Sequence, residues 1–133
     1  MIHTMIFIDA CYFIALGNQK DQWHKQSLEI IPKIRDKHRL TSILTVTEAI
    51  NIIGSKNGAK SAQNVFSYID DAYEILYINA EMTRNAMQKH LHYNGALSLA
   101  DVMSLEIMEQ YGINQIVSFD SDFDKVKGIK RIH

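Results

Sequence analysis

The stretch Ile116–Asp124 constrains the fold of this chain most strongly. Its first half is apolar or β-prone at successive positions, which is typical of a short strand buried on both faces of a parallel sheet. Its second half carries carboxylates at every second position, namely Asp120, Asp122 and Asp124, and is predicted to be the loop that leaves that strand. In open α/β sheets, ligands bind just outside the carboxyl ends of the strands. The stretch therefore predicts a ligand site at this loop.

A second segment of the chain has the same form. The apolar run Met5–Ile8 ends abruptly in Asp9. Two strand ends that carry carboxylates indicate a shared acidic pocket. Because clustered carboxylates repel one another, such a pocket usually holds a divalent cation.

Strands and helices alternate along the sequence, which favours an α/β fold with a mainly parallel sheet and helices on both faces. After the segment Asp9–Leu16, a helix from Asp21 to Ile34 contains Pro32, which predicts a kink or break near Ile31. The other predicted strands are Leu40–Leu44, Glu74–Ile78 and Gly128–Ile132, and the other predicted helices are Thr45–Ile53, Ala59–Ala72, Asn79–Tyr93 and Ser98–Tyr111.

Length and composition limit the class of protein. A chain of 133 residues is most simply one domain, spanning residues 1–133. With a formal net charge of −1, the chain lacks the strongly basic composition of a passive nucleic-acid binder. Because the chain has a single cysteine, Cys11, a disulfide framework is excluded and a reducing compartment is favoured. Cys11 itself is interpreted as a small core residue. We find neither an apolar run of membrane-spanning length nor a signal peptide, and therefore expect a cytoplasmic protein.

Five acids have positions that suggest chemistry: Asp9, Glu48, Asp101, Asp120 and Asp122. Glu48 and Asp101 also fit capping boxes, Thr45–Glu48 and Ser98–Asp101, in which a carboxylate stabilises a helix start. For both residues the capping and the metal-binding interpretations remain open. Spacing alone does not bring Asp101 to the others, because its helix precedes the strand that ends at Asp120.

If the acids converge, they form a site of hard oxygen ligands suited to Mg²⁺ or Mn²⁺. Such a site acidifies a bound water and stabilises an in-line displacement at phosphorus. A serine or cysteine nucleophile is then unnecessary. The chain carries no phosphate-binding P-loop, glycine-rich dinucleotide turn or GxSxG motif.

The order and spacing of four segments resemble those of PIN domains over essentially the whole chain. They are Phe7-Ile8-Asp9, Thr47-Glu48-Ala49, Leu99-Ala100-Asp101 and Ser118-Phe119-Asp120-Ser121-Asp122-Phe123. The closing residues Phe123–Val126 and Gly128-Ile129 are similar to the end of the toxin ribonucleases of VapBC-type toxin–antitoxin pairs.

This resemblance implies a single three-layer domain with five strands and an endoribonuclease activity that depends on Mg²⁺ or Mn²⁺. It also implies that the helix start at Asp101 reaches the acidic pocket. Asp9, Glu48 and Asp101 match the family's acidic positions, Asp120 matches the fourth, and Asp122 is an accessory candidate. Many PIN domains carry Asn or Ser where this chain has Cys11.

The resemblance further implies an RNA substrate and, as partners, a small antitoxin protein and a second copy in a homodimer. The apolar stretch Cys11–Leu16 and the helix that contains Trp23 offer surplus apolar surface, which often marks an interface.

Three alternatives remain at this stage. The first is a PIN nuclease of RNA processing that has no antitoxin. The second is a metal-dependent phosphohydrolase of the haloacid-dehalogenase type, because Asp120-Ser121-Asp122 has the form of its DxD motif; that motif follows the first strand, however, whereas here it comes last. The third is a nucleic-acid-binding module without catalysis, which the presence of all the acids disfavours.

Overall fold

Five short strands form one sheet in the computed structural model, which describes residues 4–133. They are β1 (Met5–Ile8), β2 (His38–Ser42), β3 (Glu74–Leu76), β4 (Gln115–Val117) and β5 (Lys130–Ile132). Their spatial order is β3-β2-β1-β4-β5, and every neighbouring pair is parallel. The predicted α/β fold with a mainly parallel sheet of about five strands is confirmed.

Helices cover both faces of the sheet and complete three layers. They are α1 (Ala10–Gly17), α2 (His24–Ile34), α3 (Ile43–Asn57), α4 (Ala59–Ala72), α5 (Ala80–Tyr93) and α6 (Leu99–Tyr111). The side chains of β1 alternate between two apolar cores, as the pleat of a strand requires. Phe7 packs in the core with α5 and α6, whereas Ile6 and Ile8 pack with α1 to α4. No helix within residues 4–133 is both long and apolar enough to cross a membrane.

The order of the strands places β1 beside β4 at the centre of the sheet. The chain moves outward from β1 through β2 to β3 and then returns to the other side of β1, so the connections diverge between β1 and β4. The backbone N–H of Asp9 donates to the carbonyl of Val117 at 3.0 Å, one residue beyond β1. The loops that follow these two strands therefore leave the sheet side by side, at the place where open α/β sheets bind ligands.

The starts of three helices follow from local capping. The Oγ atom of Ser98 accepts from the N–H of Asp101 at 3.1 Å, and the side chain of Asn79 accepts from the N–H of Met82 at 2.8 Å, as predicted for α6 and α5. The predicted cap Thr45 is wrong. Ser42 caps α3 instead, since its Oγ accepts from the N–H of Thr45 at 3.2 Å.

Of the kink or break that Pro32 predicts near Ile31, a break is excluded, because α2 continues to Ile34. Pro32 is the third residue from the end of the helix, and its missing N–H would have reached the carbonyl of Leu28. Leu28 lies on the exposed face of α2, with 48% of its surface accessible, so water can bond to that carbonyl. The inner face of the helix is formed by Ser27, Ile30 and Ile34.

Candidate acidic active site

A cavity of about 180 Å³ opens at the carboxyl edge of the sheet. Four of the five acids singled out in the sequence line it, namely Asp9, Glu48, Asp101 and Asp120. No basic side chain is among the described residues that form its wall. The structure thus brings together carboxylates that are separated by up to more than a hundred residues, in a cavity whose wall, as far as residues 4–133 form it, is without a positive side chain.

Each carboxylate reaches the cavity from a different element. Asp9 follows β1 directly, and Asp120 lies three residues beyond β4. Glu48 projects from the second turn of α3, because capping by Ser42 starts this helix two residues before Thr45. The capping-box interpretation of Glu48 is therefore wrong. The structure instead places Glu48 in the wall of the cavity.

The topology also explains how Asp101 arrives. Helix α6 precedes β4, and only residues 112–114 connect them. A connection this short turns the chain back, so that the start of α6 lies at the carboxyl end of β4. Asp101 is the third residue of α6, where its carboxylate is hydrogen-bonded by the backbone and the hydroxyl of Ser98. Asp101 therefore caps its helix and lines the cavity at the same time.

Ser118 links the two acids that follow the central strands. Its hydroxyl donates to Oδ2 of Asp9 at 2.7 Å and accepts from the backbone N–H of Asp120 at 3.1 Å. The Ser118 side chain is fully buried. The sequence analysis did not single out Ser118 as a site residue. Its position could have indicated this role, because it is a polar residue at the end of a buried strand and lies two positions before an acid.

Cys11 is part of the same network, and its interpretation as a core residue is wrong. It lines the cavity, its thiol donates to Oδ2 of Asp9 at 3.3 Å, and its sulfur accepts from the N–H of Phe119 at 3.3 Å. Burial and the neighbouring charge of Asp9 raise the pKa of the Cys11 thiol to about 12. The thiol is therefore protonated at neutral pH and acts as a donor to the carboxylate.

The electrostatics of the cavity disfavour negative charge. Burial, followed by the charges of Asp9 and Asp120, raises the pKa of Asp101 to about 6. The pKa of Asp9 is raised by burial and, less strongly, by Asp120, while hydrogen bonds from Ser118, Cys11 and Ala10 oppose the rise. The pKa of Glu48 is raised by burial and by Asp9. A cation in the cavity would favour the ionised carboxylates and so oppose each of these rises in pKa.

Asp122 does not line the cavity. Its carboxylate accepts from Nζ of Lys125 at 2.9 Å, and its backbone N–H donates to Oδ1 of Asp120 at 2.9 Å. Asp122 and Lys125 lie in a short 3₁₀ helix, Ser121–Lys125, and Asp120 caps its start, so that carboxylates two residues apart point in different directions. Asp124 also points away from the cavity and pairs with Arg131.

The donor set fits a hard divalent cation by its chemistry. In the geometry of the described residues, no three acidic, histidine or cysteine side chains are arranged to hold one ion between them. Mg²⁺ commonly keeps several water ligands and binds one or two carboxylates directly. Asp9, Glu48, Asp101 and Asp120 therefore suit direct and water-mediated contacts rather than a closed cage of protein ligands.

A family model described as PIN domain matches residues 6–129 of the chain. VapC20 from Mycobacterium tuberculosis, whose structure is described as a Sarcin-Ricin loop cleaving toxin, has a similar fold, with a TM-score of 0.82 and 21% identity over 90% of this chain and 93% of that one. VapBC from Salmonella typhimurium, solved bound to DNA, gives a TM-score of 0.72 and 14% identity over 97% of both chains. VapBC2 from Rickettsia felis, bound to a fragment of its promoter DNA, gives 0.71 and 10% over 97% of this chain and 98% of that one. No curated protein matches the sequence.

Proposed function

The chain belongs to the PIN domain family, and we propose that it is a metal-dependent endoribonuclease and the toxin of a toxin–antitoxin pair. The observation that carries the nuclease proposal is the convergence of Asp9, Glu48, Asp101 and Asp120 on one cavity without a basic residue in the described wall. Raised carboxyl pKa values there are typical of a functional site.

Mg²⁺ or Mn²⁺ is the proposed cofactor, and Asp9, Glu48, Asp101 and Asp120 are its proposed ligands. When bound, such an ion supplies an acidified water and neutralises the charge that builds on the phosphate during in-line displacement. The chain's own residues hold the carboxylates in place: Ser118 and Cys11 donate to Asp9 and favour its ionised form.

Two features separate this proposal from the alternatives. A phosphohydrolase that used Asp120-Ser121-Asp122 as its DxD motif would need both carboxylates in the site, whereas only Asp120 lines the cavity. A binding module without catalysis would have no use for four carboxylates that destabilise one another in the absence of a cation. A PIN nuclease of RNA processing would use the same carboxylates, so the search for an antitoxin distinguishes it from the toxin proposal.

The nuclease proposal predicts that Asp9→Asn and Asp101→Asn abolish RNA cleavage that depends on Mg²⁺ or Mn²⁺, and leave the folded protein intact. The amide keeps the shape of the side chain but offers no anionic ligand. Cleavage of a long single-stranded RNA would be followed by gel electrophoresis, and folding by circular dichroism. Asp122→Asn should retain most of the activity because its carboxylate faces Lys125. Wild-type rates in the purified Asp9→Asn protein would refute the assignment.

An apolar cleft supports the proposed antitoxin partner. The cleft lies between α1, α2 and α4, has a volume of about 330 Å³, and is lined mainly by apolar and aromatic side chains, among them Phe13, Leu16, Ile31, Val65 and Tyr68. It includes part of the Cys11–Leu16 stretch that the sequence analysis marked as surplus apolar surface. We propose that a segment of the antitoxin fills it, and that the chain also forms a homodimer.

The toxin proposal can be tested without knowledge of the RNA target. Expression of the chain alone should arrest bacterial growth, and Asp9→Asn should remove the arrest. The product of a short neighbouring reading frame should restore growth and co-purify with the chain. If the chain cleaves RNA but no neighbouring product binds it, the RNA-processing alternative replaces the toxin proposal.

A further inference from the structure

Arg131, on the last strand, spans the loop that carries Asp120. Its Nε and Nη2 atoms donate to the two carboxylate oxygens of Asp124, both at 2.9 Å, and its Nη1 donates to the carbonyl of Ser118 at 3.2 Å. Ser118 is the first residue of the loop after β4, and Asp124 lies in the 3₁₀ helix at its other end. The side chain of Arg131 is only 11% exposed, so it is held under the loop rather than in solvent.

Both ends of this bridge connect to a proposed metal ligand by one further hydrogen bond. On one side, the hydroxyl of Ser118 donates to Asp9. On the other, the 3₁₀ helix that contains Asp124 presents the N–H of Asp122 to Oδ1 of Asp120 at 2.9 Å. A shift of Arg131 would therefore be transmitted to the carboxylates of Asp9 and Asp120.

We propose that Arg131 is a positioning residue for the acidic site: by joining Ser118 to Asp124 it fixes the loop that sets the separation of Asp9 and Asp120. This role rests on the proposed metal site. It makes β5 a contributor to metal affinity although none of its side chains lines the cavity within the described chain.

The rest of the loop has enough anchors to fold without this bridge. The N–H of Ser118 donates to the carbonyl of Ile132 at 3.1 Å as part of the β4–β5 pairing, and Phe123 is fully buried in the core. These contacts hold the ends of the loop in the sheet and the core. The guanidinium adds a direct connection between the two ends, and only arginine can donate to three oxygens in this planar arrangement.

The test compares Arg131→Lys, which keeps the charge but cannot make the three bonds, with Lys125→Met. Lys125 pairs with Asp122 on the same 3₁₀ helix, and that pair is exposed and does not contact Ser118. Mn²⁺ affinity would be measured by calorimetry or electron paramagnetic resonance on the folded proteins. Arg131→Lys should weaken Mn²⁺ binding by about tenfold, as loss of partners that orient metal ligands commonly does. Asp124→Asn should weaken it in the same direction and add little to Arg131→Lys.

A second measurement reports the loop without metal. Cys11 is the single thiol of the chain, and its sulfur accepts from the N–H of Phe119 inside the bridged loop. If Arg131 fixes this loop, iodoacetamide should alkylate Cys11 several-fold faster in metal-free Arg131→Lys than in the wild type or in Lys125→Met.

The outcomes separate the two proposals. Where the wild type binds Mn²⁺, an unchanged affinity in folded Arg131→Lys overturns the positioning role. Where the wild type binds none, the metal site is wrong, and the alkylation rates decide: a faster rate in Arg131→Lys alone supports positioning of the loop by Arg131, and equal rates overturn it.

Discussion

Replacement of Asp101 by Asn separates the two roles that the structure gives this residue. At neutral pH, the carboxylate is ionised although burial and the charges of Asp9 and Asp120 raise its pKa from 3.8 to about 6. A change of that size corresponds to roughly 3 kcal/mol. Because Asp101 is partly solvated, screening reduces this cost to about 1.5 kcal/mol. Loss of the favourable interaction of the carboxylate with the start of α6 opposes the gain by about 0.5 kcal/mol.

The net expectation is that Asp101→Asn in EDTA at pH 7.5 unfolds with a free energy about 1 kcal/mol higher than the wild type, which is about 3–4 °C in melting temperature for a chain of this size. Added Mg²⁺ or Mn²⁺ should raise the melting temperature of the wild type, since a ligand that binds only the native state stabilises it by mass action. The variant should gain less, because it has lost one anionic ligand.

The difference between the two proteins should also depend on pH. The pKa of Asp101 is higher in the folded than in the unfolded state, so its contribution to stability is fully present below about 3.8 and is lost as the pH rises through about 6. In EDTA, the stabilities of wild type and variant should therefore differ by a constant amount above about pH 6 and approach each other as the pH falls from about 6 toward 3.8.

Thermal scans with and without metal, followed by circular dichroism, measure all of these effects. Asp71→Asn, on the exposed surface of α4, is the matched control and should change neither the stability nor the response to metal. If Asp101→Asn melts below the wild type in EDTA and responds to metal as the wild type does, Asp101 is a helix cap only, and its assignment to the metal site is refuted.

Two further predictions concern regions away from the acidic cavity. Lys89→Met removes the cation that pairs with Glu106, whose side chain is only 1% exposed, and should lower the free energy of unfolding in urea by about 2 kcal/mol. Glu109→Gln is the control, because the Glu109 side chain is 68% exposed. Equal losses of stability in the two variants would contradict this account. Leu16→Gln in the apolar cleft should abolish co-purification of the proposed antitoxin. Leu91→Gln, at a residue of α5 that is 78% exposed, should not. If both variants still co-purify with the antitoxin, the partner binds elsewhere.

The sequence was informative wherever local interactions decide the structure. Asp9 and Asp120 were placed at strand ends because apolar runs stop at or just before them, and Ser98 was identified as a cap by its spacing to Asp101. The start of α3 was predicted wrongly, at Thr45, because Ser42 and Thr45 are both good caps. Ser42 becomes the cap because β2 stops pairing with β3 at Ser42, opposite Leu76, and α3 begins at the next residue.

Contacts between distant parts of the chain were not predictable in the same way. Asp120 and Asp122 have equivalent positions in an alternating pattern, and only the 3₁₀ helix turns the first into the cavity and the second toward Lys125. Arg131 meets Ser118 across the β4–β5 pairing, whose register the sequence does not specify. These contacts depend on tertiary structure, for which the one-dimensional pattern carries no signal.

Cys11 shows how the structure changes the meaning of a departure from the family's pattern. At this position many PIN domains carry Asn or Ser, and a thiol would be a poor substitute if it ionised beside Asp9. Burial and the charge of Asp9 instead raise its pKa to about 12, so the proton stays on sulfur and is donated to Asp9. The sulfur also accepts from the N–H of Phe119. Cys11 therefore makes the contacts of a polar residue, and burial together with the charge of Asp9 keeps its proton on sulfur, where it can be donated.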